Sequence, residues 1–345
     1  VSYEKIKERT PMKIIMYNVR QDTEGRFVRE WAKETGNEVK VVHEPLSADN
    51  VNLMKGCDGL DILQTMPIGD EAVYKQIADM GIKQITCRMV GINMIDLAAC
   101  KKYNLKVTHV PVYSPRAIAE MGVAHAMYLL RRIGEYRYEM DHNADFSWPA
   151  NLMSNEIFNL TVGLIGLGNI GSATAQIYKA LGAKVIAFDP SYNPADEPFV
   201  TYVDSADEVI KNADILSLHV PLLPSTKGMI GAEQLKMMKN SAYLINMSRG
   251  GLVDTEALIQ ALKNHEIAGA GLDTLADETT YFGKKVTPAD VPADYKELAA
   301  MPNVTITPHS AFFTETAVRN MVRIGLNDVV TIVNGGRSRN EVFLG

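Results

Sequence analysis

The stretch TVGLIGLGNIGSATAQIYKALGAKVIAFDP, residues 161–190, decides the fold. Thr161 to Ile165 is a short apolar run rich in β-branched residues, and Gly166, Gly168 and Gly171 follow it with the spacing G-x-G-x-x-G. That pattern predicts a strand, a tight turn and a helix. Gly166 permits the turn, Gly168 lets a pyrophosphate reach the backbone, and Gly171 lets the helix lie close on the strand. Asn169 and Ile170 open the helix, whose free N–H groups and positive dipole end face the phosphates. A second apolar run, Lys184 to Phe188, ends in Asp189, eighteen residues past Gly171. A carboxylate there accepts hydrogen bonds from a ribose diol and repels a 2′-phosphate. The expected cofactor is therefore NAD rather than NADP.

A chain of 345 residues has room for two domains at roughly 100–200 residues each. Its net charge of −6 is mild, with Lys and Arg scattered among the acids, so neither a nucleic-acid nor an anionic-membrane surface is expected. No segment reaches the roughly 18 uninterrupted apolar residues of a membrane span, and the first residues carry no apolar signal core. Cys57, Cys87 and Cys100 are odd in number and lack C-x-x-C spacing, which fits reduced thiols and a cytoplasmic location. Residues 1–11 precede Met12, which reads as a natural start, and are expected to be a dispensable N-terminal extension.

From Lys13 the chain alternates between strand and helix. Strands are expected at Ile14 to Tyr17, Val39 to Val42, Gly59 to Leu63, Ile82 to Cys87 and Lys106 to Val110, with helices at Glu24 to Lys33 and Met94 to Lys102. Alternation of this kind means a parallel sheet with helices on its faces. This first unit has no phosphate loop of its own and is a candidate for holding substrate. Ser114 and Pro115 then announce a long helix, the serine as cap and the proline in the first turn. Its apolar stripe, Ile118, Met121, His125, Tyr128 and Leu129, predicts a run to about Glu139, with His125 as a core histidine. The segment from His142 to Asn155 reads as loop.

Past the glycine turn, strands are expected at Ile215 to Leu218, Ala242 to Ile245, Gly269 to Leu272 and Val304 to Thr307. Ligands of an open parallel sheet collect at the carboxyl ends of its strands. The residues standing there are His219, Val220 and Pro221; Ser248 and Arg249; Asp273 and, slightly later, Glu278; and His309. A nicotinamide exchanges hydride, and the protein must handle the matching proton, a task for histidine near neutral pH. His309 is the candidate acid/base, and a neighbouring Glu278 would orient its ring. Arg249 can clamp a substrate carboxylate in a bidentate manner and polarise an adjacent carbonyl. Together they describe reduction of a 2-oxo acid. Against this, Glu278 opens a polar stretch through Asp290 and reads equally as a solvated loop carboxylate. His219 is either an adenosine contact or a capping histidine. His43, His109, His142 and His265 lie outside the cluster, and no spacing suggests a metal site.

The set Gly166-Leu-Gly-Asn-Ile-Gly171, His219-Val-Pro221, Asn246-Met-Ser-Arg249-Gly-Gly, Gly271-Leu-Asp273 with Glu278, and Pro308-His309-Ser resembles the D-2-hydroxyacid dehydrogenase family, over nearly everything from Met12 to about Glu341. Within it the chain is similar to the D-lactate dehydrogenases of lactic acid bacteria and, about as closely, to D-2-hydroxyisocaproate dehydrogenases. The resemblance implies an α/β fold of two doubly wound parallel-sheet domains. One is a Rossmann NAD-binding domain over residues 113–308, and the other a smaller, flavodoxin-like substrate domain over 12–112 and 309–345. It further implies Arg249, Glu278 and His309 as the catalytic trio, a substrate carboxylate bound by backbone N–H groups of Val90 and Gly91, and an acyl pocket involving Tyr113 and Phe312. A homodimer formed through the cofactor domain is also implied, to which the Trp148 loop is expected to contribute. Paired chain crossings near Pro111 and His309 would form a hinge.

Met89 stands where the bacterial enzymes often have asparagine, and Glu278 is followed by Thr279, Thr280 and Tyr281 and a long insertion-like loop to Asp294. Two aromatics can close around a methyl group or stack on a larger side chain, so pyruvate and bulkier 2-oxo acids both remain open. A rival of another class is a non-catalytic NAD sensor, since transcriptional corepressors resembling this family read cofactor state with the same fold. The full Arg/Glu/His set and the lack of a low-complexity tail argue for the enzyme.

Overall fold

The computed structural model describes residues 11–344, so most of the expected N-terminal extension, residues 1–10, lies outside the described residues. The chain divides into two compact units, one comprising residues up to Ser114 and from Thr314 onward, the other Pro115–Phe313. It therefore passes between them twice.

In the first unit β1 (Lys13–Met16), β2 (Glu38–Val41), β3 (Gly59–Ile62), β4 (Gln84–Cys87) and β5 (Lys106–His109) form a parallel sheet in the order β2-β1-β3-β4-β5. The order reverses between β1 and β3, which is the flavodoxin-like winding. Successive side chains of a strand face opposite sides, so β1 supplies two cores. Ile14 and Met16 meet Phe27, Val28 and Trp31 of the helix Gly25–Thr35 and Val318, Val322 and Leu326 of the C-terminal helix Glu315–Val333. Ile15 and Tyr17 face Val51, Val73, Tyr74 and Ile77. The C-terminal helix lies so close on β3 that a Cβ at Gly59 would stand 2.2 Å from Val329 Cγ1.

The second unit contains β6 (Thr161–Ile165), β7 (Lys184–Phe188), β8 (Thr201–Tyr202), β9 (Ile215–Leu218), β10 (Tyr243–Asn246), β11 (Gly269–Leu272) and β12 (Val304–Ile306), all parallel, in the order β12-β11-β10-β9-β6-β7-β8. Counted from β6, this is the 3-2-1-4-5-6 order of dinucleotide-binding sheets with one further strand. Strands β9, β10 and β11 are buried at every position, as strands covered on both faces must be. The reversal falls between β6 and β9, and the glycine turn sits there.

One expectation is corrected. The helix expected from Pro115 to about Glu139 is two helices, Pro115–Leu130 and Ile133–Asn143, broken at Arg132, which adopts a left-handed φ of 53°. The break seats Gly134 against the Pro302 carbonyl, where a Cβ would stand 2.3 Å from the oxygen. The second helix buries none of its residues and runs into the segment expected to be loop. Among the described residues no helix is long and apolar enough to cross a membrane, and Cys57, Cys87 and Cys100 are buried free thiols.

Candidate active site

Gly166 follows β6 with φ 96°, and a Cβ on it would stand 2.7 Å from His219 O, so the turn and the end of β9 touch backbone to backbone. Gly171 is equally confined, since a Cβ there would lie 2.1 Å from Gly166 O. Gly168, by contrast, has open space where its Cβ would be. It is also the N-cap of the helix Asn169–Ala180 and supplies no capping side chain. The first-turn N–H groups thus open onto free volume, which is what a pyrophosphate needs. Asp189 accepts from Leu167 N–H at 2.7 Å through one carboxylate oxygen and from Ser191 N–H at 2.7 Å through the other. Each oxygen keeps a lone pair for a ribose hydroxyl. His219 is half-buried with Nε2 2.9 Å from Ser217 Oγ, and burial pushes its pKa down to about 4, so the ring is neutral. Ser248 Oγ donates to Val220 O at 2.7 Å, tying the end of β10 to the His219-Val220-Pro221 segment. The residues present fit a dinucleotide.

Asn246, buried at the end of β10, shapes the turn that carries Arg249: its Nδ2 donates to Arg249 O at 2.9 Å, and its Oδ1 accepts from Ser248 N–H at 3.0 Å. The Arg249 side chain is exposed and anchored by one bond, Nη1 to Ser248 O at 2.8 Å. Gly250 presses on the next turn, where a Cβ would be 1.9 Å from the Leu275 carbonyl carbon. Only glycine lets the Arg249 turn lie against the segment leading to Glu278.

Glu278 is not a solvated loop carboxylate. Its Oε1 lies 2.5 Å from His309 Nδ1 and its Oε2 accepts from Leu275 N–H at 2.7 Å. A carboxylate has no proton to give, so Nδ1 carries the hydrogen and Nε2 is the atom left for chemistry. The backbone of His309 is itself held in the left-handed region, φ 53°, a conformation that costs an L-residue of order 1–3 kcal/mol. Asp273 supplies the compensation. Its buried carboxylate accepts from Thr307 Oγ1 at 2.5 Å, Ser310 N–H at 2.9 Å and Ala311 N–H at 3.0 Å, while its carbonyl accepts from His309 N–H at 2.8 Å. Thr307 Oγ1 in turn lies 3.0 Å from Nε2 of the buried His125. Because Thr307 gives its proton to Asp273, His125 must donate. A Cβ on Gly271 would stand 2.9 Å from His125 Cβ, which accounts for that glycine. The roles of Thr307 and Gly250 escaped the sequence reading because their partners are distant in sequence; Asn246 stood within the Asn246-Met-Ser-Arg249-Gly-Gly motif, but its part in shaping the turn was not assigned.

In the first unit, Val90 is exposed and Gly91 half-buried on the loop after β4. Among the described residues neither N–H group meets a protein acceptor. Tyr113 is half-buried near the end of the same unit's N-terminal segment, its carbonyl accepting from Asn320 Nδ2 at 2.7 Å. In the second unit the Phe312 ring stands edge-on to Phe313 with centroids 6.0 Å apart. The described residues contain no group of three or more His, Cys, Asp or Glu side chains placed to hold a metal ion.

Residues 123–311 match the family described as "D-isomer specific 2-hydroxyacid dehydrogenase, NAD binding domain". The chain is 41% identical over 333 residues to a D-lactate dehydrogenase of Lactiplantibacillus plantarum, covering 96% of this chain and 99% of the relative. Among solved structures it is similar to the NAD-complexed D-isomer specific 2-hydroxyacid dehydrogenase of Lactobacillus delbrueckii ssp. bulgaricus, with a TM-score of 0.93, 58% identity and coverage of 96% and 100%. The D-lactate dehydrogenase of Lactobacillus jensenii with NAD+ gives a TM-score of 0.93 and 56% identity at the same coverage.

Proposed function

Because the chain belongs to the D-isomer specific 2-hydroxyacid dehydrogenase family and carries its NAD binding domain, we propose that it reduces a 2-oxo acid to the D-2-hydroxy acid, with pyruvate as substrate and D-lactate as product. The observation that carries the reading is the clamped His309–Glu278 pair, with Nδ1 committed and Nε2 free. NADH, when bound, supplies the hydride that reduces carbon 2. His309, protonated on both nitrogens, gives the Nε2 proton to the carbonyl oxygen as that oxygen gains charge, and Glu278, which accepts from Nδ1–H, orients the ring and favours its charged form. Arg249 neutralises the substrate carboxylate and polarises the carbonyl. Val90 and Gly91 are the candidates for binding a substrate carboxylate through backbone N–H groups, and Tyr113 and Phe312 the candidates for the acyl side chain, as the family resemblance implies. Oxidation of the hydroxy acid runs the steps in reverse.

NADH oxidation followed at 340 nm with pyruvate, 2-oxoisocaproate, phenylpyruvate and hydroxypyruvate tests the substrate. Pyruvate is expected to give the highest kcat/KM. A lead by 2-oxoisocaproate or phenylpyruvate would move the enzyme to branched and aromatic 2-oxo acids, and silence across the panel would favour the NAD sensor. Chiral analysis of the product checks the D configuration.

Asp189→Ala is expected to raise the KM for NADH about ten- to hundredfold, the worth of hydrogen bonds to a charged group, and to narrow the preference over NADPH. An NADH-to-NADPH efficiency ratio equal to the parent's would remove Asp189 from ribose recognition.

The proposal extends to a cytoplasmic homodimer. What supports it is that Phe146, Trp148 and Met153 are 73%, 85% and 79% exposed within one segment of the second unit, large apolar side chains of the kind that interfaces cover. Sedimentation analysis is expected to give twice the chain mass.

A further inference from the structure

In the loop Arg88-Met89-Val90-Gly91 the carbonyls of Met89, Val90 and Gly91 are each held by a donor. Val110 N–H donates to Met89 O at 3.2 Å, His109 Nδ1 lies 2.9 Å from Val90 O, and the Cys87 thiol lies 3.5 Å from Gly91 O. A carbonyl has no proton to offer, so the imidazole carries hydrogen on Nδ1 and the thiol donates. Burial keeps that thiol protonated by pushing its pKa up to about 12.

The root of the loop is fixed more firmly still. Arg88 is fully buried, with Nε donating to Glu24 Oε1 at 2.8 Å, Nη1 to Asp61 Oδ1 at 2.6 Å, and Nη2 to the carbonyls of Tyr17 and Asn18 at 3.0 Å each. Removing water from such a guanidinium is costly unless its donors are met, and here every nitrogen has a partner.

Each peptide unit is planar and trans, so its C=O and N–H point in opposite directions. The Met89 carbonyl belongs to the same unit as the Val90 N–H, and the Val90 carbonyl to the same unit as the Gly91 N–H. Tying both carbonyls inward turns both N–H groups outward, where no protein acceptor meets them. If the Val90–Gly91 peptide rotated, its carbonyl would confront an incoming carboxylate and repel it.

We infer that His109 is a positioning residue for substrate: its Nδ1–H fixes the Val90–Gly91 peptide so that both amides face the carboxylate of the 2-oxo acid, with Cys87 and Arg88 securing the loop on either side. This rests on the reading of that loop as the carboxylate subsite. His109 acts through the backbone and touches no reacting atom, so its loss is expected to appear in KM for the acid rather than in kcat.

The test compares the parent with His109→Leu, which removes the donor, and His109→Asn, whose Nδ2 places an N–H near the same point. His109→Leu is expected to raise the KM for pyruvate about five- to tenfold, the effect of one hydrogen bond, with kcat within about twofold and the KM for NADH unchanged. The inhibition constant of oxamate, an unreactive carboxylate, should rise in parallel, and His109→Asn should return both to within about twofold of the parent. His109→Ala, which adds no bulk, is read in the same way should leucine fail to fold. A pyruvate KM within twofold of the parent's in the leucine or alanine variant overturns the inference. So does failure of asparagine to rescue, or an equal rise in the KM for NADH. A parent that binds NADH but reduces none of the acids fails at the functional reading instead, and the positioning role falls with it.

Discussion

His309→Gln is expected to lower kcat by about 10²- to 10⁴-fold, the usual contribution of a positioned general acid, while NADH binding measured by fluorescence stays within about twofold of the parent. Glutamine places an amide near Nε2 and can still hydrogen-bond a carbonyl, but it cannot transfer a proton at neutral pH. The substitution also leaves the backbone problem unchanged. His309 sits at φ 53°, and the bonds that hold it there are donated to Asp273 by the backbone N–H groups of His309, Ser310 and Ala311, which glutamine keeps. A large loss of kcat with an unaltered melting temperature therefore isolates the proton transfer. Turnover within threefold of the parent would remove His309 from the mechanism.

Arg249→Gln is expected to cost about 10²- to 10³-fold in kcat/KM, the range seen when a preorganised electrostatic donor to a transition state is lost. Both terms should suffer, because the guanidinium is assigned two tasks, holding the carboxylate and polarising the carbonyl. Arg249→Lys should fall between glutamine and the parent, since an ammonium keeps the charge but cannot make two parallel bonds to a carboxylate. The side chain is exposed and makes one bond to its own turn, so neither substitution should destabilise the unit. Steady-state kinetics with pyruvate, beside a melting curve, decide the matter. A kcat/KM within threefold in the glutamine variant would leave Arg249 as a structural tie of the turn.

The sheets of both units were legible because their strands are short apolar runs separated by turn residues. The glycine turn was legible because three glycines, each with a different spatial duty, keep a fixed spacing. Arg249, Glu278 and His309 could be proposed because residues that follow the strands of a parallel sheet gather at its carboxyl edge. What escaped notice has a common physical origin. Arg132 is left-handed without being glycine, so the amphipathic pattern ran straight through the break. Asp273 could be placed at a strand end, but its clamp on the His309 loop depends on Thr307 and on two backbone N–H groups more than thirty residues away. His109 stood outside the cluster because the sequence locates β5 without revealing that its last residue reaches the loop after its neighbour β4.

The first unit is assembled from the two ends of the chain, and this has a consequence during synthesis. Ile14 and Met16 leave the ribosome early, but Val318, Val322 and Leu326, which cover that face of β1, emerge about 300 residues later, or about 15–60 s at 5–20 residues per second. The second unit is continuous from Pro115 to Phe313 and can complete its sheet while the N-terminal sheet still lacks its last helix. For most of that interval this face of β1 has only the helix Gly25–Thr35 to cover it, and the part that awaits the last helix is a surface suited to chaperones that shield exposed apolar segments. A chain stopped just before Thr314 would retain every proposed cofactor contact, yet one face of its N-terminal sheet would lack Val318, Val322, Leu326 and Val329.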